Sequence, residues 1–395
     1  MPYMIKRYLE KAISEDLKEK MVFIAGPRQV GKTTLAMEIG KTLFPDRYLY
    51  LNWDNREDRK VLLNSTFMAN RDFLIFDEIH KYKKWKNYLK GVYDKHKDRF
   101  KIMVTGSARL DIYRKGGDSL LGRYRYYRLH PLSLKELYGE GTRYSLFKEL
   151  KFLDSDKKTK RLFSALFKFG SFPEVFVKQS EKDLRRWHNE KVDRLIREDI
   201  RDVENLRDLS SLQILVELLP DKVGSLFSLN SLREDLNVTH KTISSWVDIL
   251  EKFYYHFRIY PFRSTYIKSL RKEPKLYLWD WSEVKDENAR FENMIASHLL
   301  KFSHFLFDAE GYKAKLYYVR DTESREVDFL ITIDNKPWFC VETKNTFKDI
   351  APSLKYFGRK IKIPFMYQVV KEENIDHVKD NIRIVSADKF LTALV

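Results

Sequence analysis

The chain contains 395 residues, of which 43% are hydrophobic and 14% aromatic, so wholesale disorder is excluded and roughly two to four packed domains are expected. A formal net charge of +17 favours a polyanionic partner such as DNA, although a basic composition also simply keeps a protein soluble. Cys340 is the single cysteine, which excludes an internal disulfide and a cysteine-built zinc site. The chain begins without a signal sequence and contains no apolar run near ~20 residues, so we expect a cytoplasmic protein that does not enter a membrane.

A phosphate-binding loop is the first functional motif along the chain. Residues 26–34 read GPRQVGKTT and match G-x-x-x-x-G-K-[ST], between an apolar strand at 21–25 and a predicted helix. Backbone N–H groups of such a loop and the helix N-terminus bind phosphate, so we expect Lys32 to reach the β- and γ-phosphates of ATP. The Thr33 hydroxyl is expected to be one ligand of Mg²⁺. The predicted ATP-binding residues are Gly26, Pro27, Arg28, Gln29, Val30, Gly31, Lys32, Thr33 and Thr34.

Strands alternate with helical stretches on both sides of this loop. Residues 3–20 predict an amphipathic N-terminal helix, because apolar residues recur near helical spacing. Predicted strands cover residues 21–25, 48–51, 73–76, 101–105 and 124–129. Strands separated by helices are typical of a mostly parallel sheet, so we predict an α/β domain over residues 1–140.

Two carboxylates follow the third predicted strand. Asp77 and Glu78 end the apolar run FLIF, about 45 residues after the phosphate-binding loop. We predict that Asp77 holds Mg²⁺ and that Glu78 is the catalytic residue that orients or deprotonates the attacking water.

Further candidates for phosphate contacts follow in the chain. Ser107 or Thr105 is a candidate sensor of the γ-phosphate, although either residue is equally suited to cap the next helix. Hydrolysis also uses a positive charge on the transferred phosphate, and Arg123 is the predicted catalytic arginine, either within the chain or from a neighbouring subunit. Arg109 is the alternative.

Five motifs taken in chain order resemble one protein family. They are GPRQVGKTT, FLIFDE, VTGSA, LLGRYRYYRLHPLSLKEL and GSFPEVF. Over nearly its whole length the chain resembles archaeal and bacterial AAA-type P-loop ATPases that are fused to a C-terminal restriction-endonuclease-like domain of unknown function. The resemblance implies an AAA-type parallel sheet, then a helical and winged-helix module, then an α+β restriction-endonuclease-like domain. The expected domains are the ATPase at 1–140, a helical lid or linker at 141–209, a winged helix at 210–272 and the nuclease-like domain at 273–395.

The middle of the chain has helix-turn-helix form. Thr239 is a plausible N-cap for the second helix of residues 230–252, and the alternating residues 254–261 predict a β-wing. Lys241 and Ser244 are the predicted DNA contacts, because early residues of the second helix enter the major groove in such motifs. Both are small or weakly basic, so a packing or oligomerisation role remains the alternative.

Charged residues near the C-terminus suggest a second metal site. Thirteen residues separate Asp328 from Glu342, and Lys344 follows, which is the D…E-x-K arrangement of restriction-endonuclease-like nucleases. We predict that Asp328, Glu342 and the upstream Glu292 bind Mg²⁺ and that Lys344 is a catalytic residue. Two ordinary surface strands are the alternative, and His298 is predicted to be a satisfied or solvated histidine and no ligand.

These predictions describe an ATPase that acts on DNA, in which ATP controls a metal-dependent nuclease. One alternative is an ATP-switched protein that binds DNA or a protein partner through an inactive nuclease fold. Another is a regulatory ATPase with protein clients. ATP and Mg²⁺ are the expected cofactors, and a homo-oligomer through the ATPase domain is an expected assembly.

Overall fold

The computed structural model describes residues 5–68, 70–106, 120–139, 144–200, 208–262 and 273–395. The chain forms two compact units, Met1–Pro131 and Leu132–Val395. The first unit contains, in chain order, α1 (Glu10–Asp16), β1 (Met21–Ala25), α2 (Lys32–Leu43), β2 (Tyr48–Asn52), α3 (Arg56–Asn64), β3 (Phe73–Asp77), a short 3₁₀ turn (Ile79–Lys81), α4 (Trp85–His96), β4 (Lys101–Thr105) and β5 (Tyr124–Arg128).

A parallel sheet forms the centre of the first unit. Its five strands lie in the order β2-β3-β4-β1-β5, and every neighbouring pair is parallel. β1 and β3 are buried along their whole length, as expected for strands covered on both faces. The predicted α/β fold with a parallel sheet is therefore confirmed. Because parallel strands end at the same edge, this sheet brings residues 26–34 and Asp77 to one edge.

The second unit is larger and mixes helices with strands. Its helices are α5 (Leu134–Tyr138), α6 (Lys157–Phe169), α7 (Pro173–Lys178), α8 (Glu181–Arg194), α9 (Leu209–Leu218), α10 (Leu229–Leu236), α11 (His240–Lys252), α12 (Glu287–Asp308), α13 (Pro352–Ile361) and α14 (Ala387–Phe390). A wider π-type turn follows α8 at Leu195–Ile200, and 3₁₀ turns lie at Leu219–Lys222, Trp281–Glu283 and Leu391–Ala393. Its strands are β6 (His256–Ile259), β7 (Lys275–Leu278), β8 (Ala314–Arg320), β9 (Glu326–Ile333), β10 (Lys336–Lys344), β11 (Phe365–Val370), β12 (Asp376–Lys379) and β13 (Ile382–Ser386).

A six-stranded mixed sheet organises the C-terminal part of this unit. Its order is β12-β13-β11-β10-β9-β8. β8, β9 and β10 are antiparallel neighbours, whereas β11 runs parallel to both β10 and β13. The 22-residue helix α12 packs on the antiparallel strands and presents a largely buried face that includes Phe291, Met294 and Phe302.

Three helices and a strand ribbon precede that sheet. α9, α10 and α11 are followed by β6 and β7, which pair with each other as an antiparallel ribbon. The boundary expected between residues 272 and 273 falls inside this ribbon, because Phe257 of β6 pairs with Tyr277 of β7. The boundary expected at 140 likewise differs from the division between the two units, which lies between Pro131 and Leu132. Within the described ranges no helix is both long enough and apolar enough to cross a membrane.

Candidate functional site

The phosphate-binding loop has a backbone that requires glycine at two positions. Gly26 has a φ of 151°, and a Cβ atom at this residue would lie 2.4 Å from the Leu129 carbonyl oxygen. Gly31 has a φ of 95° and stands immediately before the first residue of α2. These conformations are ones that L side chains rarely adopt. The glycines therefore allow β1 to turn sharply and start α2 with its N-terminus at the loop.

Lys32 is buried against the loop that precedes it. Its ammonium donates hydrogen bonds to the carbonyl oxygens of Gly26 at 3.0 Å and Pro27 at 2.6 Å. Lys32 is the first residue of α2, so its charge lies at the positive end of the helix. A phosphate bound in the loop would meet a lysine ammonium and a helix N-terminus together.

Arg7 is a contact of this loop that the sequence did not indicate. It is buried, and its guanidinium donates to the carbonyl oxygens of Val30, at 2.7 Å, and His130. Arg7 thereby connects the N-terminal segment to the loop and to His130, the second residue after β5. The apolar spacing of residues 3–20 predicted a helix there, and the observed helix covers only Glu10–Asp16 among the described residues.

Asp77 accepts hydrogen bonds from three hydroxyl groups. Thr33 donates to its Oδ2 atom at 3.0 Å, and Tyr50 donates to the same atom at 2.8 Å. Thr105 donates to Oδ1 at 2.6 Å. The burial of Tyr50 and its contact with this carboxylate raise the pKa of the phenol. Thr33 and Asp77 lie side by side as hard oxygen donors, a set of ligands that suits Mg²⁺.

Glu78 follows directly and occupies a strained backbone conformation. Its φ of 56° is in the left-handed region, which is uncommon for a residue with a side chain. Burial raises the pKa of Glu78, and the neighbouring charge of Asp77 raises it further. His80 and Lys81 lie 3.5 and 3.6 Å from the Glu78 carboxylate. A carboxylate with a raised pKa is a better proton acceptor near neutral pH than an ordinary glutamate.

The remaining predictions for the ATPase site have different outcomes. Ser107 and Arg109 lie outside the described residues. Arg123 stands before β5, whose first residue pairs with Met21 at the start of β1, so it lies at the edge of the sheet opposite the phosphate-binding loop. Its guanidinium pairs with Asp94 at 2.7 Å. Strands of five residues span roughly 13–17 Å. The structure therefore does not bring Arg123 to the phosphate-binding loop of its own chain, and its role as the catalytic arginine, within the chain or from a neighbouring subunit, remains a prediction.

The C-terminal carboxylates lie on neighbouring elements. Phe329 of β9 is paired with Val341 of β10, so Asp328 and Glu342 are the next residues along two antiparallel strands. The backbone N–H and hydroxyl of Thr343 both donate to Asp328 Oδ2, at 2.9 and 2.7 Å. Lys344 donates to Glu342 Oε1 at 2.7 Å.

Lys275 is the unexpected member of this cluster. Its ammonium lies 3.2 Å from Glu292, 2.5 Å from Glu326 and 3.6 Å from Asp328. Burial alone would lower the pKa of Lys275, but the charges of Glu292, Asp328 and Glu326 outweigh it and raise that pKa. Tyr277, two residues along β7, donates to Glu292 at 2.6 Å.

Two carboxyl groups of this cluster are hard to ionise. Burial and the charge of Asp328 raise the pKa of Glu292 to about 7. The same two causes raise the pKa of Glu342 to about 8. Glu342 Oε2 is buried and has no hydrogen-bond partner among the described residues.

The predicted Mg²⁺ site on Glu292, Asp328 and Glu342 does not form in this arrangement. Over the described part of the chain, no group of three or more His, Cys, Asp or Glu side chains is placed to hold a metal ion. The physical reason is Lys275, whose ammonium already pairs with two of the three predicted ligands. His298 is no ligand either, because Nδ1 bonds the Met294 carbonyl at 2.8 Å and Nε2 accepts from the Leu134 N–H at 3.3 Å.

The two predicted DNA contacts lie on α11. Thr239 caps this helix by accepting a hydrogen bond from the Thr242 N–H at 3.1 Å, and Asn237 makes the turn from α10 with a φ of 51°. Lys241 is exposed and Ser244 is half-buried. Both line an open concave surface whose other residues are His240, Ser245, Asp248, Ile249 and Lys252.

Three protein families match successive parts of the chain. The AAA domain matches residues 18–138. Two domains of unknown function, DUF8612 and DUF4143, match residues 160–283 and 288–390. The DUF8612 match, residues 160–283, ends after β7 and therefore includes both β6 and β7, which pair with each other.

Similar proteins extend over most of the chain. The uncharacterised protein MJ1544 of Methanocaldococcus jannaschii is 24% identical over 95% of this chain and 85% of its own length. The uncharacterised protein Rv2008c of Mycobacterium tuberculosis is 21% identical over 94% of this chain and 81% of its own length.

Two solved structures show a weaker similarity. The RuvB Holliday junction branch migration motor of Thermotoga maritima is 18% identical, covers 63% of this chain and 88% of its own, and has a TM-score of 0.32. The Aeropyrum pernix ORC1 protein in complex with DNA is 12% identical, covers 75% of this chain and 95% of its own, and has a TM-score of 0.34. The family match and the parallel sheet together identify residues 18–138 as an AAA-type ATPase domain.

Proposed function

We propose that this protein binds ATP with Mg²⁺ in the loop at residues 26–34 and hydrolyses it. The observation that carries the proposal is the hydrogen bond between Thr33 and Asp77, which places a loop hydroxyl beside a strand-end carboxylate 3.0 Å away. Lys32 at the start of α2 supplies the positive charge that the β- and γ-phosphates require.

Each side chain has a separate task in this reaction. Thr33 and Asp77 would hold Mg²⁺, which would supply positive charge to the phosphates. Glu78 orients a water molecule and accepts its proton as the water oxygen bonds to the γ-phosphorus. The bond between that phosphorus and the bridging oxygen breaks, and ADP leaves with the electron pair.

The proposal is tested by nucleotide binding and turnover of the full chain. Lys32→Ala is expected to abolish ATP binding, and Lys41→Ala is the matched control because this lysine lies on the same helix but is exposed beside Glu38. Glu78→Gln is expected to bind ATP with normal affinity and to stop turnover. Normal hydrolysis by Glu78→Gln would show that another group accepts the proton.

We further propose that the second unit binds DNA under the control of the ATPase. The exposed position of Lys241 on the open surface of α11 supports this proposal. The affinity for duplex DNA is expected to fall as the salt concentration rises. Lys241→Ala is expected to make the plot of log affinity against log salt concentration less steep, by the amount that corresponds to about one phosphate contact. Lys336→Ala removes an exposed lysine of β10 and is the control. Equal effects of the two variants would refute a specific contact by Lys241, and salt-independent or absent DNA binding would favour protein clients.

Metal-dependent DNA cleavage is the second candidate function. It is supported by the pair of Glu342 and Lys344 and by the buried oxygen of Glu342 that has no partner among the described residues. The cluster around Lys275 favours instead a nuclease fold that does not cut. Plasmid nicking with Mg²⁺ or Mn²⁺ that disappears in Glu342→Ala would establish cleavage. If the plasmid stays intact in every nucleotide state while the protein still binds DNA, the cleavage proposal is refuted and the DNA-binding proposal is retained.

A further inference from the structure

The carboxylate cluster of the second unit contains a cation supplied by the chain itself. Lys275 begins β7, and its side chain is 4% exposed. Its ammonium is paired with Glu292 of α12 and with Glu326 and Asp328 of β9. An ammonium has three N–H donors and no acceptor, and three carboxylates lie within 3.6 Å of this one.

The carboxylate oxygens near Lys275 are engaged by other donors as well. Tyr277, on the same face of β7, donates to the Glu292 oxygen that Lys275 also contacts. Asp328 Oδ2 accepts two hydrogen bonds from Thr343. A magnesium ion requires oxygen ligands at about 2.0–2.1 Å and near-octahedral geometry. Its binding here would bring a divalent charge against an ammonium that uses the same oxygens.

We infer that Lys275 is the resident cation of this cluster and excludes divalent metal from Glu292 and Asp328. The same contacts attach the β6–β7 ribbon to α12 and β9, so the ammonium also links two parts of the second unit. Removal of one partner of a buried ion pair leaves the other charge uncompensated. Without Lys275, the buried carboxylates would therefore attract a divalent cation.

Mn²⁺ binding to the full chain tests the inference without any measure of activity. An Asp77→Asn background removes the metal ligand at the phosphate-binding loop, and binding is followed by electron paramagnetic resonance of Mn²⁺. Lys275→Met is expected to create a Mn²⁺ site at least roughly tenfold tighter than any in the background protein, and Asp328→Asn is expected to remove it. Lys301→Met is the matched control, since this buried lysine pairs with Glu136 away from the cluster. A site already present in the background, lost in Asp328→Asn and no tighter in Lys275→Met, would overturn the inference.

Lysine labelling of the wild-type chain covers the case in which Lys275→Met does not fold. Acetic anhydride is expected to label Lys344, whose side chain is 47% exposed, and to leave Lys275 unlabelled with or without millimolar Mn²⁺. If Mn²⁺ raised the labelling of Lys275 to the level of Lys344, metal would be displacing the ammonium and the inference would be wrong. ATP turnover is not a readout of either experiment, so failure here is distinguishable from failure of the proposed ATPase.

Discussion

The substitution Gly26→Ala tests whether the backbone of the phosphate-binding loop determines nucleotide binding. The new Cβ atom would lie 2.4 Å from the Leu129 carbonyl oxygen, whereas an ordinary carbon–oxygen contact is roughly 3.3 Å or longer. The atom that the new Cβ would meet belongs to the backbone, so a side-chain rotation cannot relieve the clash. Leu129 is also held in place, because its backbone N–H donates a hydrogen bond to the Ala25 carbonyl oxygen at 2.8 Å. Either the loop or the end of β5 must therefore move by about 1 Å.

The cost of this change has two parts. A residue with a side chain at a φ of 151° is strained by about 1–3 kcal/mol. Overpacking adds a further cost of about 1–3 kcal/mol. We therefore expect the free energy of unfolding of the first unit to fall by about 2–6 kcal/mol, and ATP affinity to fall by at least roughly tenfold.

Thermal unfolding and fluorescence titration with a labelled ATP analogue measure the two effects. Gly91→Ala is the matched control, because this glycine lies within α4 and its Cβ would meet no atom within 4 Å. Alanine is favoured over glycine in a helix by about 1 kcal/mol, so this variant is expected to be slightly more stable and to bind ATP normally. Wild-type affinity and stability in Gly26→Ala would refute the reasoning.

Two other predictions concern the half-buried Tyr50 and the buried His298. Tyr50→Phe removes one of three hydroxyl donors to Asp77, worth about 1.5–3 kcal/mol for a charged acceptor, so the Mg²⁺ concentration for half-maximal turnover should rise by roughly tenfold. An unchanged Mg²⁺ requirement would show that Tyr50 does not position this carboxylate. Burial lowers the pKa of His298 from 6.5 to about 4, so its contribution to stability is full above pH 6.5 and falls by about 3 kcal/mol as pH drops to 4. In urea unfolding between pH 4 and 8, His298→Gln should lose that part of the pH dependence, and an identical slope would contradict the assignment.

The ATPase site was largely predictable from the sequence because its chemistry is local. The loop needs glycines, a lysine and a threonine at fixed spacing, and one apolar strand must end in a carboxylate. Tyr50 was missed because a tyrosine within the strand YLYLN is equally suited to apolar packing, and its bond to Asp77 crosses 27 residues. Arg7 was missed for the same reason, since its bond to Val30 spans 23 residues and leaves no periodic pattern.

The C-terminal cluster was only partly predictable. The spacing of Asp328, Glu342 and Lys344 indicated neighbouring strands, and the strands are neighbours. Lys275 precedes Glu292 by 17 residues on another element, so charge pairing with it has no local signature. The one available signal was a lysine at the start of the otherwise apolar strand KLYL, where a buried charge requires a partner.

A crystal structure of the full chain with a non-hydrolysable ATP analogue and Mn²⁺ tests the central claim most directly. Anomalous scattering locates the metal independently of the protein coordinates. We expect the β- and γ-phosphates in the loop at residues 26–34, with Lys32 on the phosphates and Mn²⁺ beside Thr33 and Asp77. A nucleotide bound elsewhere, or a loop that stays empty at saturating analogue, would contradict the claim that this loop binds and hydrolyses ATP.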